Sequence, residues 1–277
     1  MEKLGIIGGM GPAATARLFA RIIRFTDAER DQDHLDITIL NRPQTPDRTA
    51  YLLGEEGAPS FIPALEDAAD ELEEAGCTVL AIPCNTAHAR LGNVEAVLDR
   101  GRFVDMPRET AAFAIGLGCR RVGILATDGS LRSGVYQRAL LEAGVDAVVP
   151  GQAGQAAVMS LIYDDVKAGR IPEPGCLAAV CEELVEAGCD GIILGCTELS
   201  LLDAPRRMGG AGAGGAPGAP GVPVIDALDV LAWRCVQECG APAHDLAAEF
   251  GARAASAPAP GESPTAPAYA TTTDKEA

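Results

Sequence analysis

Short apolar runs alternate along most of the chain with longer stretches in which apolar residues recur every three or four positions. The runs Lys3–Gly8, Leu35–Asn41, Thr78–Pro83, Arg121–Ala126, Val145–Val149 and Gly191–Leu194 predict strands. Between them Ala13–Asp27, Ser60–Ala75, Val135–Ala143 and Leu177–Ala187 carry helical periodicity, and a further helix is predicted near Ala227–Gln237. Brief apolar strands separated by helices imply βαβ units, hence an α/β fold with parallel sheets. Ligands on such sheets sit beyond the C-terminal ends of the strands, so the loops there are where chemistry is expected.

One internal comparison refines this. Leu72–Thr86 reads LEEAGCTVLAIPCNT and Leu184–Glu198 reads LVEAGCDGIILGCTE; at a shift of 112 residues, Leu72/Leu184, Glu74/Glu186, Ala75/Ala187, Gly76/Gly188, Cys77/Cys189 and Cys84/Cys196 coincide. A fainter echo pairs Lys3–Gly11 with Arg121–Gly129. The pattern predicts an internal duplication: two pseudosymmetric lobes, each a parallel sheet flanked by helices, with the active site in the cleft between them. The expected boundaries are 1–107 for the first lobe, completed by a C-terminal helix at about 225–250, and 108–224 for the second. Residues 209–221 contain only Gly, Ala and Pro, and 252–277 are similarly poor in core-forming side chains; a surface loop and a disordered tail are expected there.

Composition narrows the function. A formal charge of −17 over 277 residues argues against partners rich in phosphate, nucleic acid or an anionic membrane surface. Neither a membrane-length apolar run nor a signal-peptide pattern is evident, so a cytoplasmic protein is expected. The nine cysteines are odd in number and contain no C-x-x-C pair, which makes reduced thiols the expectation and gives no metal site.

Within each repeat the two cysteines differ. Cys77 and Cys189 enter the strand as core residues, whereas Cys84 and Cys196 stand where the strand stops. Asn85, Thr86 and Thr197 are good helix N-cap types, so backbone N–H groups are expected to face the two thiols and favour the thiolate. Either cysteine alone reads equally well as a small core residue; their matched positions in two lobes favour a shared task. Redox chemistry would need the sulfurs in contact, about 2 Å apart when bonded. Inversion at carbon needs them apart, one removing a proton from one face and the other delivering a proton to the opposite face, roughly 6.5–7.5 Å from each other.

These segments resemble the aspartate/glutamate racemase superfamily, and its aspartate racemase branch in particular: GIIGGMGPAAT (Gly5–Thr15), NRPQTPDR (Asn41–Arg48), PCNTAH (Pro83–His88), VKAG (Val166–Gly169) and GCTEL (Gly195–Leu199). The DSGxGG and GCTHYP types of glutamate racemases are absent. The resemblance implies a cofactor-independent amino-acid racemase, an isomerase acting on aspartate, with Cys84 and Cys196 as the acid/base pair. It further implies a substrate site lined by Met10, Gln44, Arg48, Asn85, Thr86, Lys167 and Thr197, and a homodimer.

Physical reasoning bears on several of these residues. A dicarboxylic substrate needs local cations in an acidic protein; Arg48 offers a planar fork and Lys167 a point charge. Spacing alone would make Arg48 a surface ion pair and Lys167 a solvated helix residue; the motifs reverse that. Backbone N–H groups of Asn85–Thr86 and Thr197–Glu198 could bind the α-carboxylate. Thr127 and Ser130 are weaker candidates, since loop hydroxyls often serve as turn caps. His88, four residues after Cys84, reads equally as a neighbour of the thiol or substrate and as a structural imidazole. Gly9-x-Gly11-x-x-Ala14 nominally fits a dinucleotide fingerprint, but Pro12 occupies the loop and Asp36 begins rather than ends the second strand, so no nucleotide is expected. The rival functions are a broad-specificity racemase, a cis–trans isomerase of an unsaturated diacid, and a catalytically silent amino-acid-binding module.

Overall fold

In the computed structural model, residues 1–202, 204–208 and 221–251 are described. The Gly/Ala/Pro segment, except Gly221, and the 252–277 tail lie outside the described residues. The first sheet has four parallel strands, β1 (Leu4–Gly8), β2 (Ile37–Asn41), β3 (Val79–Ala81) and β4 (Arg102–Phe103), in the order β2-β1-β3-β4. The second contains β5 (Arg121–Leu125), β6 (Asp146–Val148), β7 (Gly191–Leu194), β8 (Arg207–Met208) and β9 (Val222–Asp226), in the order β6-β5-β7-β9-β8. Among the described residues only β8 runs antiparallel, as an added edge. Without it the two sheets share one strand order, as a duplicated α/β lobe requires.

The helices are α1 (Pro12–Phe25), α2 (Arg48–Leu53), α3 (Ile62–Glu74), α4 (Leu91–Glu95), α5 (Met106–Gly116), α6 (Asp128–Ser133), α7 (Val135–Glu142), α8 (Gln152–Met159), α9 (Cys176–Glu186) and α10 (Ala227–Glu238). None among the described residues is long and apolar enough to cross a membrane. Central strands β1, β3 and β7 are wholly buried because helices cover both faces of their sheets, which is why they read as unbroken apolar runs rather than alternating ones.

The duplication extends to packing. Gly5 in β1 leaves room for Leu72 at the end of α3; a Cβ there would lie 3.0 Å from a Leu72 methyl. Gly123 in β5 does the same for Leu184 at the end of α9, at 2.7 Å. Each lobe thus seats its repeat leucine over a strand position that carries no side chain. One apolar core runs from Leu4 and Ile22 through Leu228, Leu231 and Val236 of α10 to Val122 and Ile124 of β5, so the lobes share a core at their junction.

Buried charge reinforces that junction. Arg21 of α1 reaches Asp226 at 2.7 Å and Asp229 at 3.0 Å, both at the start of α10, and donates to the carbonyl of Ser200 at 3.2 Å. Burial, followed by the neighbouring Asp226, raises the Asp229 carboxyl above its usual range, and Arg21 and Arg206 pull it back. Removing Arg21 takes from Asp226 its cation and leaves Arg206 as the cation on Asp229. Arg21→Met is therefore expected to destabilise the protein by about 3–5 kcal/mol in urea unfolding; a loss below about 1 kcal/mol would mean the network is solvated.

Candidate active site

The loops after β1, β3, β5 and β7 converge between the lobes, at the C-terminal ends of their strands. Gly9, in the first of these loops, has φ +99, and a Cβ there would lie 2.4 Å from the backbone of Arg42. Only glycine lets that loop close against the one after β2, which brings Met10 beside Arg48. From β3 the chain passes through Ile82 and Pro83 to Cys84, the N-cap of a 3₁₀ turn over Asn85–Arg90. From β7 it passes through Gly195 to Cys196.

Both cysteines line one narrow cavity together with Met10, Arg48, Asn85, Thr86, Thr127, Lys167, Thr197 and Glu198. Asp47, Thr49 and Tyr163 complete its wall. Four polar contacts close the lobes around it. Thr86 Oγ1 lies 3.0 Å from both the Thr127 and the Ser130 hydroxyl. Thr197 Oγ1 donates to the Pro83 carbonyl at 3.4 Å. The Tyr136 hydroxyl of α7 donates to Asn85 Oδ1.

The last contact decides what Asn85 can offer. It is almost fully buried, its oxygen is taken by Tyr136, and Nδ2 has no hydrogen-bond partner. A buried amide donor left open beside a cavity suits a carboxylate oxygen. Tyr136→Phe should free the amide to rotate, raising KM about tenfold and lowering stability by about 1–3 kcal/mol; an unchanged KM would show that Asn85 does not bind substrate.

Two charged groups are more committed than their sequence suggests. Arg48 is buried, and its Nη1 donates to the carbonyls of Thr45 at 3.1 Å and Pro46 at 2.8 Å, while Nη2 reaches Met10 O at 3.4 Å. Only part of its fork, including the unpartnered Nε, remains for a ligand. Burial opposes its charge, but the facing Cys84 and Asp47 outweigh that and leave its pKa raised. Lys167 Nζ stands 3.9 Å from Glu198 Oε1 and 4.4 Å over the Tyr163 ring. Burial opposes this charge too, and the Glu198 carboxylate leads the effects that outweigh it.

Several expectations change. Gln44 is exposed and outside the cavity wall, because the turn closed by Thr45 onto the Arg42 carbonyl directs Thr45 and Arg48 inward instead. His88 does not touch either sulfur. Its Nε2 accepts from the Met106 N–H at 3.3 Å, so Nδ1 carries the proton and donates to the Cys84 carbonyl at 2.9 Å. Burial, offset in part by Asp105, lowers its pKa. It is a neutral brace between the Cys84 loop and α5. The helix-end argument fails for Cys196: only a single 3₁₀ turn, Leu199–Leu201, follows, and Cys196 donates to Glu198 Oε2 at 3.0 Å. Burial, then the carboxylate, pushes this thiol well above its ordinary value rather than below it. Cys77 and Cys189 lie in the core, where burial raises their thiols.

The residues missed from sequence have recognisable signals. Asp47 caps α2 by accepting from the Ala50 N–H at 2.8 Å, a role its position before a helical stretch could have indicated. Tyr163 shares a face with Lys167, four residues on, in the π-helical turn Ser160–Val166 that continues α8. Such turns concentrate at functional sites.

The family model for Asp/Glu/hydantoin racemases matches residues 7–235. Among curated proteins, an uncharacterised protein from Pectobacterium carotovorum is 41% identical over 83 residues, covering 30% of this chain and 55% of that protein; the match spans about half its length. The broad-specificity amino-acid racemase RacX of Bacillus subtilis is 26% identical over 201 residues, 71% of this chain and 86% of that one. Among solved structures, the aspartate racemase of Picrophilus torridus superposes with a TM-score of 0.71 at 26% identity, covering 90% of this chain and 99% of that one.

Proposed function

The chain belongs to the Asp/Glu/hydantoin racemase family, and we propose that it racemises aspartate with Cys84 and Cys196 as opposed acid and base. The observation that carries this reading is the position of the two thiols. They follow equivalent central strands of duplicated lobes and line the same cavity. One thiolate removes the α-proton, leaving the C–H electron pair on carbon. The S–H of the other gives its proton to the opposite face, so one proton enters as one leaves. The open Asn85 Nδ2 and the unspent donors of Arg48 would hold carboxylate oxygens and the negative charge that develops. No cofactor is assigned a step.

A second reading, broad amino-acid specificity, is favoured by two observations. Arg48 spends much of its fork on backbone carbonyls, and Lys167 faces Glu198, so neither cation is wholly available to a second carboxylate. RacX carries that activity in its name. Incubation with a panel of D- and L-amino acids, followed by chiral chromatography, separates the readings. Aspartate is expected to reach an equal mixture of enantiomers from either hand. Turnover of neutral amino acids alone would overturn the aspartate assignment, and no turnover of any would leave a binding module. The proposal extends to a cytoplasmic homodimer, for which sedimentation is the check.

A further inference from the structure

We infer that Glu198 is a positioning residue that holds the proton on Cys196 in the resting protein, so that the second-lobe thiol meets the substrate as the acid. The inference rests on the proposed two-thiol reaction and gives it a direction. Duplicated lobes would suggest equivalent thiols, yet their surroundings are opposite in charge. Cys84 faces the Arg48 guanidinium. Cys196 Sγ instead donates to Glu198 Oε2 at 3.0 Å, and both residues are only 5% exposed.

A thiolate at that distance from a carboxylate, with so little water to screen them, would set two anions against each other. A thiol satisfies the carboxylate instead. Lys167 lies 3.9 Å from Oε1, the oxygen not used by Cys196, and so anchors the carboxylate from the far side. The other titratable groups near Cys196 are Tyr163 of the π-helical turn and Tyr136 of α7, with Asp47 and Arg48 on the cavity wall contributed by the first lobe. Burial already pushes the Cys196 thiol up, and Glu198 adds to that by its charge and by accepting the S–H.

The test is a titration of Cys196 itself. Ultraviolet thiolate absorbance is followed with pH in the parent chain and in Glu198→Gln, each read as the difference from its Cys196→Ala counterpart. Glutamine keeps the size and burial of Glu198 but removes the charge; the thiolate fraction of Cys196 at a given pH is expected to rise about tenfold or more, a shift of about one pKa unit. Glu198→Asp retains the charge and is expected to stay close to the parent. Titration of Glu198→Gln with the parent would overturn the inference. So would an equal shift in both variants, since that would report loosened packing rather than lost charge. Neither result bears on whether the protein racemises amino acids, which the Cys84→Ala and Cys196→Ala activities decide separately.

Discussion

Alanine at Cys84 or at Cys196 is expected to reduce aspartate racemisation by about 10²–10⁴-fold while leaving the thermal unfolding transition nearly in place. Inversion requires a group on each face of the α-carbon, so neither thiol can substitute for the other. The loss should therefore be similar in both variants and in both directions. The fold should survive because each sulfur lies at the cavity rather than within one of the packed strands, and truncation removes a single small atom. Cys77→Ala and Cys189→Ala supply the control. These residues are also buried and occupy the other cysteine position of each repeat, yet their variants should retain activity. Chiral chromatography of initial rates, with circular dichroism as the check on folding, measures all four. Full activity in Cys84→Ala or Cys196→Ala would sink the two-thiol mechanism.

Arg48→Lys is expected to be nearly as damaging, with kcat/KM reduced at least about 10²-fold and stability lowered by about 2–4 kcal/mol. Arg48 holds the loop after β2 by donating to the Thr45 and Pro46 carbonyls, reaches across to Met10 and faces Cys84. Lysine supplies one compact ammonium, which cannot serve two loop carbonyls and Met10 while still facing the thiol and a substrate. Steady-state kinetics and urea unfolding on the same sample separate the two losses. If stability falls while kcat/KM is unchanged, Arg48 is only a strut of the loop; if kcat/KM falls and stability does not, the carbonyl contacts contribute little to holding the fold.

Much of this architecture was legible because a parallel sheet buries its strands on both faces, so β1, β5 and β7 stand out as apolar runs, and because the repeat preserves its turn glycines and leucines. What escaped was short or weakly patterned. β4 and β8 have two residues each, and β9 carries Pro223 in an edge-like sequence although it pairs with β7 inside the sheet. The stretch from Gln152 to Val166 is rich in small and polar residues, so its helical course was not evident, and Tyr163 was missed with it.

At the site, the motifs brought most of the expected side chains to one cavity but misjudged what they do there. From sequence Glu198 offers a backbone N–H, yet its carboxylate reaches back to the thiol two residues earlier and reverses the expected electrostatics of Cys196. His88 lies four residues after Cys84, but spacing along the chain cannot tell a contact with the sulfur from one with the carbonyl. Tyr136 comes from a helix of the other lobe; its role toward Asn85 depends on how the lobes close, which no local pattern records.

The central claim is that protons are exchanged on opposite faces of one carbon by two different groups. It is tested most directly by racemising a single enantiomer of aspartate in deuterated water and examining both enantiomers early in the reaction. Two opposed thiols predict deuterium at the α-carbon of the newly formed enantiomer, with the unreacted enantiomer still carrying protium. Inversion with equal early deuteration of both enantiomers would point to a single base serving both faces and contradict the account.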